Sequence, residues 1–203
     1  MTRGRFLTLE GVDGAGKSTH VAWLAEQLRA RGHAVLVTRE PGGTPLAERL
    51  RELVLAEPMD PIAETMLLFA ARADHVQRVI APALHAGTWV LCDRFTDATF
   101  AYQGGGKGVA AELIAHLAQA SHNGLLPDRT LVFDCPYEVS RERLARTGRA
   151  PDRFEREDRG FFERVRQAYL GLAHANPERI RVLDASRPVA DIKKVIEEEI
   201  STL

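Results

Sequence analysis

The chain has 203 residues, 45% hydrophobic and 27% charged, a balance that suits one globular domain over residues 1–203 and excludes a disordered or fibrous chain. Its 27 basic and 28 acidic residues give a net charge of -1, so no overall positive field argues for binding a nucleic acid polymer. No apolar run approaches the roughly 20 residues of a membrane span. Met1-Thr2-Arg3-Gly4-Arg5 leads straight into an apolar strand without a signal-peptide pattern, so a cytoplasmic protein is expected, with no membrane partner. Cys92 and Cys135 each end an apolar run and read as buried small hydrophobes.

The first expected strand is 6–9. Directly after it, Gly11-Val12-Asp13-Gly14-Ala15-Gly16-Lys17-Ser18 fits G-x-x-x-x-G-K-[ST], followed by Thr19. Such a loop turns its backbone N–H groups onto nucleotide phosphates, with the lysine at the β/γ oxygens and the serine placed for Mg²⁺. A helix over 17–30 is expected next, with Val21, Leu24, Ala25 and Leu28 on one face. Strand, glycine loop and helix follow in the order such a site needs, and the helix N-terminus adds its own attraction for anions.

A second strand is expected at 34–37, ending in Thr38-Arg39-Glu40-Pro41-Gly42-Gly43-Thr44. Pro41 holds Glu40 extended, the glycines permit a sharp turn, and Thr44 can cap a helix over 44–55. Arg39 is either part of an ordinary connection or a phosphate grip. In a long helix over 61–85, Phe69 and Arg72 lie three residues apart and share a face. They could stack on and hydrogen-bond to a base, although Phe69 alone reads equally as core and Arg72 as surface. A third strand, 89–92, ends in Asp93-Arg94-Phe95, the usual place for a Mg²⁺-associated acid and a charge-stabilising arginine. Tyr102-Gln103-Gly104-Gly105-Gly106 reads as the start of a mobile loop.

Helices at 109–121, 136–146, 158–174 and 188–201 and strands at 130–133 and 181–183 complete the pattern. Alternating strands and helices argue for an α/β fold with a parallel sheet covered on both faces and its ligands at the carboxyl ends of the strands. Seven arginines, Arg141, Arg143, Arg146, Arg149, Arg153, Arg156 and Arg159, surround the break at Thr147-Gly148-Arg149-Ala150-Pro151. A solvated charged face accounts for the flanks. A flap over 141–157 that carries arginines onto phosphates accounts for those in the break.

Together these segments, with Leu68-Phe69-Ala70-Ala71-Arg72 and Leu126-Pro127-Asp128, resemble the thymidylate kinase family over nearly the whole chain. The resemblance implies a P-loop NTPase fold of the nucleoside monophosphate kinase kind, with a five-stranded parallel sheet. It implies transfer of the ATP γ-phosphoryl group to dTMP, with Mg²⁺, in a homodimer packed through helices that include 61–85. The ATP site would comprise Gly11, Val12, Asp13, Gly14, Ala15, Gly16, Lys17, Ser18 and Thr19, with Arg187 near adenine. The dTMP site would comprise Asp13 at the 3′-hydroxyl, Arg39 and Arg94 at the phosphate, Phe69 stacked on thymine and Arg72 at its O4. Tyr102 would wall off a 2′-hydroxyl, Gln103 would lie over the base, and Glu155 would be the lid acid. Lys17, Asp93, Arg94 and either Arg149 or Arg153 would be catalytic, and Ser18 and Asp93 would hold the metal. Some members of the family carry a catalytic arginine where Gly14 stands here, so the lid must provide it in this chain. Another nucleotide kinase of the same fold is the nearest rival. A GTPase switch is disfavoured by the lack of an N-K-x-D segment.

Overall fold

The computed structural model describes residues 3–203. Five strands, β1 (Phe6–Gly11), β2 (Val35–Arg39), β3 (Trp89–Asp93), β4 (Arg129–Asp134) and β5 (Ile180–Asp184), form one sheet in the order β2-β3-β1-β4-β5. Every neighbouring pair is parallel. β1 is central and buried at every position, which explains its continuous apolar run rather than an alternating one. The register sets Leu9 and Arg39 each opposite Asp93, and Gly11 opposite Phe133. The glycine loop, Arg39-Glu40 and Asp93-Arg94 therefore leave the sheet at one rim, as expected from the strand ends.

The helices are α1 (Lys17–Ala30), α2 (Pro45–Ala56), α3 (Pro61–His75), α4 (Ala81–His85), α5 (Thr96–Thr99), α6 (Ala111–His122), α7 (Tyr137–Arg146), α8 (Arg159–Ala175) and α9 (Val189–Ser201). The expected helix over 61–85 is a continuous rod of α3, a π-helical turn at Val76–Ile80, and α4. Thr44 caps α2, its Oγ1 accepting the Ala47 N–H at 3.1 Å. Asp60 and Asp158 cap α3 and α8 in the same way.

Both faces of the sheet are covered. Leu9, Leu131 and Phe133 pack with Leu24 and Leu28 of α1, Tyr169 of α8 and Ile196 of α9. On the other face Phe6, Val90 and Cys92 pack with Val76, Ile80 and Leu84. Cys92 and Cys135 are free and buried. None of the described helices is long and apolar enough to cross a membrane.

One expectation fails here. The segment from Tyr102 to Gly106 is not a mobile loop. It belongs to a π-helical stretch, Phe100–Gly106, that continues α5 and packs on α8. A Cβ on Gly105 would stand 2.5 Å from the Ala168 Cβ, and one on Gly106 would stand 2.4 Å from the Phe161 ring. The glycines bring two helices into close contact instead of loosening the backbone.

Candidate active site

The glycine loop wraps the N-terminus of α1. Gly16, the residue before the helix, is left-handed at φ 95°, and no side chain caps the first turn, which leaves those N–H groups available to an anion. Lys17 folds back under the loop, donating from Nζ to the carbonyls of Gly11 (3.0 Å) and Val12 (3.1 Å). Burial and the neighbouring Arg94 pull its ammonium below the usual lysine range. Gly14 lies against α7: a Cβ there would sit 2.5 Å from the Ser140 carbonyl oxygen. An arginine at this position has no room while α7 is so placed, so any further cation must come from elsewhere. Ser140 seals the contact by donating its hydroxyl to the Asp13 carbonyl at 2.7 Å.

Asp93 ends β3 beside the loop. Its Oδ1 is buried and has no hydrogen-bond partner among the described residues. Ser18 and Asp93 both line a cleft of about 600 Å³ that runs along the loop. Arg39, Arg143 and Arg149 also line it. Arg39 is half exposed and held by Glu48 at 2.9 Å. Arg149 is half exposed and forms a two-pronged pair with buried Glu155.

Arg94 follows Asp93 with φ 69°, a left-handed conformation that turns its side chain back over the rim. Nη1 donates to the Gly11 carbonyl (2.9 Å) and the Tyr169 hydroxyl (3.2 Å); Nη2 donates to Asp13 Oδ1 (2.7 Å) and the Tyr102 hydroxyl (3.0 Å). Tyr102 in turn donates to Asp13 Oδ2 at 3.0 Å. Burial pushes the Asp13 carboxyl up, but Arg94 and then Lys17 outweigh it and bring it to about 2. Below this network Glu10 accepts from the Phe95 N–H and the Tyr169 hydroxyl, both at 2.7 Å. Burial and nearby Asp97 raise its carboxyl to about 8.

A second, smaller cleft of about 90 Å³ opens on the other side of Asp13 and Arg94, lined by Leu68, Arg72, Phe95, Tyr102 and Gln103 and roofed by Asp152 and Phe154. Arg72 is buried. Its Nε donates to Glu40 Oε2 at 2.6 Å and its Nη2 to the Phe95 carbonyl and the Thr99 hydroxyl. Its guanidinium lies 4.7 Å from the Phe69 ring centre and 5.2 Å from that of Phe95. Its Nη1 is buried without a partner among the described residues, a donor that a ligand in this cleft can satisfy. Burial pushes the Glu40 carboxyl up, but Arg72 more than offsets this and holds it below the usual carboxylate range, with His75 Nδ1 at 3.0 Å helping.

Three expected site residues are placed elsewhere. Phe69 does not line the small cleft. It packs with Val109, Ile114 and Ala118 at the α3–α6 contact, and Leu68, one residue earlier, faces the cleft instead. Residues i−3 and i−4 flank the same side of a helix, and α3 is rotated so that i−4 from Arg72 points inward. Arg153 lies away from the glycine loop, donating to the Val54 carbonyl and to Glu64. Arg187 is exposed on Asp191 at 3.4 Å and does not line the large cleft, whose wall there is Ala185, Val189 and Ile192.

Two residues carry parts that the sequence did not assign them, Arg143 being named only within the arginine cluster. Arg143 ties the glycine loop to the end of β5, donating to the carbonyls of Ala15 (3.2 Å) and Ala185 (2.8 Å). Arg51 lines both clefts and donates to the Pro41 carbonyl at 3.0 Å. Both are arginines among many, their partners are backbone carbonyls, and those of Arg143 are distant in sequence.

The family model described as thymidylate kinase matches residues 9–196. The thymidylate kinase of Bordetella petrii is 59% identical over 201 residues, covering 99% of this chain and 97% of that protein. That of Cupriavidus metallidurans is 56% identical over 201 residues, covering 99% and 100%. Among solved structures, the thymidylate kinase of Ehrlichia chaffeensis superposes with a TM-score of 0.78 at 33% identity, covering 96% of this chain and 98% of that one.

Proposed function

The chain belongs to the thymidylate kinase family, and we propose that its two clefts divide the substrates, ATP along the glycine loop and dTMP in the smaller cleft. The enzyme transfers the γ-phosphoryl group of ATP to dTMP, giving dTDP and ADP. One observation carries the division: Asp13 and Arg94 line both clefts, so a monophosphate in the smaller one meets the γ-phosphate of ATP at these two residues.

Phosphoryl transfer needs two anionic reactants held in line and their charge neutralised. Lys17 and the N-terminus of α1 hold the ATP phosphates. Arg94, which borders both clefts, faces the acceptor phosphate and the transferring group; Arg39 lines the large cleft and not the small one, so its grip on the acceptor phosphate would fall where the two clefts meet. Between the two lid arginines, Arg149 is the better placed, because it lines the phosphate cleft while Arg153 is engaged by Glu64.

Asp93 and Ser18 fit a Mg²⁺ ion, which keeps much of its water and takes only one or two protein oxygens beside the phosphates. The unpartnered Asp93 Oδ1 supports this. Among the described residues no group of three or more His, Cys, Asp or Glu forms a cage that would hold a metal without nucleotide. When bound, the ion neutralises charge on the β- and γ-phosphates.

The small cleft offers a donor, Arg72 Nη1, to O4 of the base, with Leu68 and Phe95 as apolar walls. Asp13 and Tyr102 stand where the sugar hydroxyls would be. Free space of about 90 Å³ is less than the roughly 150 Å³ cavity that takes up a benzene ring. Asp152 and Phe154 therefore swing out to admit dTMP, as parts of the lid expected over 141–157. Exposed Ile62 and Met66, one turn apart on α3, support a homodimer through that helix, which light scattering checks. The same reading puts the enzyme in the cytoplasm with its nucleotide substrates.

The deciding experiment compares dTMP, dUMP, dCMP, AMP and thymidine as acceptors in an ADP-release assay. dTMP should give the highest kcat/KM. Hydrolysis of ATP that no monophosphate stimulates would overturn the assignment.

A further inference from the structure

Glu64 opens α3 at the back of the small cleft and is fully buried. Three side chains converge on its carboxylate: Gln103 Nε2 on Oε1 at 2.9 Å, Lys107 Nζ on Oε2 at 2.8 Å, and Arg153 on Oε2. A full charge in the interior is costly unless it is paired, and here two cations and an amide surround it. That accounts for its tolerance but not for its geometry. Gln103 also lines the small cleft, and nothing among the described residues donates to its Oε1.

A primary amide can turn by 180° and exchange its donor for its acceptor. Glu64 removes that freedom. A carboxylate held between Lys107 and Arg153 offers only acceptor oxygens, so the NH₂ end of Gln103 must face it and Oε1 must face the cleft. Arg72, whose buried Nη1 is a donor without a partner among the described residues, lines the same cleft. The cleft thus presents one acceptor and one donor in fixed places. A thymine or uracil edge has the complementary pair, N3–H and O4. A cytosine edge has the opposite pair, with N3 an acceptor and the amino group a donor, and it mismatches at both positions.

We propose that Glu64 is a positioning residue for base selection: it locks the Gln103 amide with its carbonyl toward the base and so discriminates against aminopyrimidine nucleotides. This rests on the placement of the dTMP base in the small cleft. Arg153 shares the carboxylate, so the same residue holds one end of the lid against the wall that reads the base. That contact bears on every acceptor alike, whereas the amide orientation bears only on those that differ at N3 and C4.

The test is Glu64→Gln, assayed with dTMP, dUMP and dCMP. The new amide can accept or donate, so Gln103 can turn. The ratio of kcat/KM for dTMP over dCMP should fall about tenfold, the equivalent of one good hydrogen bond, with dUMP following dTMP. A structural or lid defect would lower all three in parallel and leave the ratio fixed, and that result would overturn the proposal. In a Gln103→Leu background, Glu64→Gln should leave the ratio where Gln103→Leu alone puts it. A further change there would mean that Glu64 acts by another route, and would overturn it as well. A wild-type enzyme that uses dCMP as well as dTMP would sink the placement of the base and this proposal together. An intact wild-type preference with parallel losses in the variant would sink the role of Glu64 alone.

Discussion

Arg94→Ala separates what this side chain does for the fold from what it does for the reaction. The truncation removes four hydrogen bonds, to the Gly11 carbonyl, the Tyr169 and Tyr102 hydroxyls and the Asp13 carboxylate, although Gly11 keeps Lys17 and Asp13 keeps Tyr102 as a donor. Breaking a buried ion pair costs about 3–5 kcal/mol. The Asp13 side chain is 34% exposed, however, so water entering from the cleft can take over part of the guanidinium's role, leaving a stability cost of roughly 1–2 kcal/mol. The catalytic cost is larger: a well-placed donor to developing phosphoryl charge is worth about 10²–10³ in turnover, or roughly 2.7–4 kcal/mol. The backbone provides an internal control. Arg94 sits at φ 69°, where any side chain with a Cβ is strained by roughly 1–2 kcal/mol. Arg94→Gly should therefore match Arg94→Ala in lost turnover yet be more stable by about 1 kcal/mol, or about 2–4 °C in melting temperature for a chain of this size. ADP release at saturating ATP and dTMP, well below either melting point, gives the kcat values, and calorimetry gives the stabilities. Turnover of Arg94→Ala within about tenfold of wild type would refute the reasoning. So would turnover that recovers in Arg94→Gly, since relief of strain would then have restored what the missing charge should have removed.

Asp93→Asn should raise the Mg²⁺ concentration for half-maximal turnover by about 10–100-fold, and an unchanged Mg²⁺ titration would remove Asp93 from the metal site. Leu68→Ala should raise the KM for dTMP about 5–10-fold. Phe69→Leu should leave that KM alone and cost about 1 kcal/mol of stability; the reverse pattern would restore Phe69 to the base cleft. Gly105→Ala drives a methyl to 2.5 Å from the Ala168 Cβ and should destabilise by about 1–3 kcal/mol, so an unchanged melting temperature would contradict the α8 contact. The folded Glu10 carboxyl is raised from 4.5 to about 8, so its contribution to stability is full below 4.5 and is lost as pH rises through 8. Glu10→Gln, neutral throughout, should gain in urea midpoint over wild type on the alkaline side of 8 but not on the acid side of 4.5. Equal shifts on both sides would indicate packing rather than titration.

The rim was legible in the sequence because each of its parts follows a strand, and a buried parallel strand announces itself as an apolar run. Knowing where β1, β2 and β3 end was enough to bring Asp13, Arg39, Asp93 and Arg94 together. Rotation of a helix about its axis was harder. Leu68 and Phe69 both lie near the Arg72 face, and the choice between them is made by packing against α6, a partner some forty residues away. The glycines from Gly104 to Gly106 misled for a related reason. Local rules read a glycine run as freedom, whereas here Ala168 and Phe161 on a distant helix demand the missing side chains. Arg143 and Arg153 stood in one run of arginines, and nothing local distinguishes the one that buttresses the phosphate loop from the one docked on Glu64.

Asp13 belongs to the phosphate loop yet borders both clefts, and this limits how the enzyme can be altered. On the proposed placement of dTMP, the end that would read the base, at Leu68, Arg72 and Gln103, can be redrawn without touching the nucleotide loop, so a change of pyrimidine is within reach of a few substitutions on α3 and the π-helical stretch. A change of sugar is not. Any side chain at position 13 chosen for a new acceptor also resets the partner of Arg94 and the charge beside Lys17, and the donor end of the reaction changes with it. Variation in acceptor should therefore collect at the base and spare the sugar, in laboratory libraries as much as in natural drift.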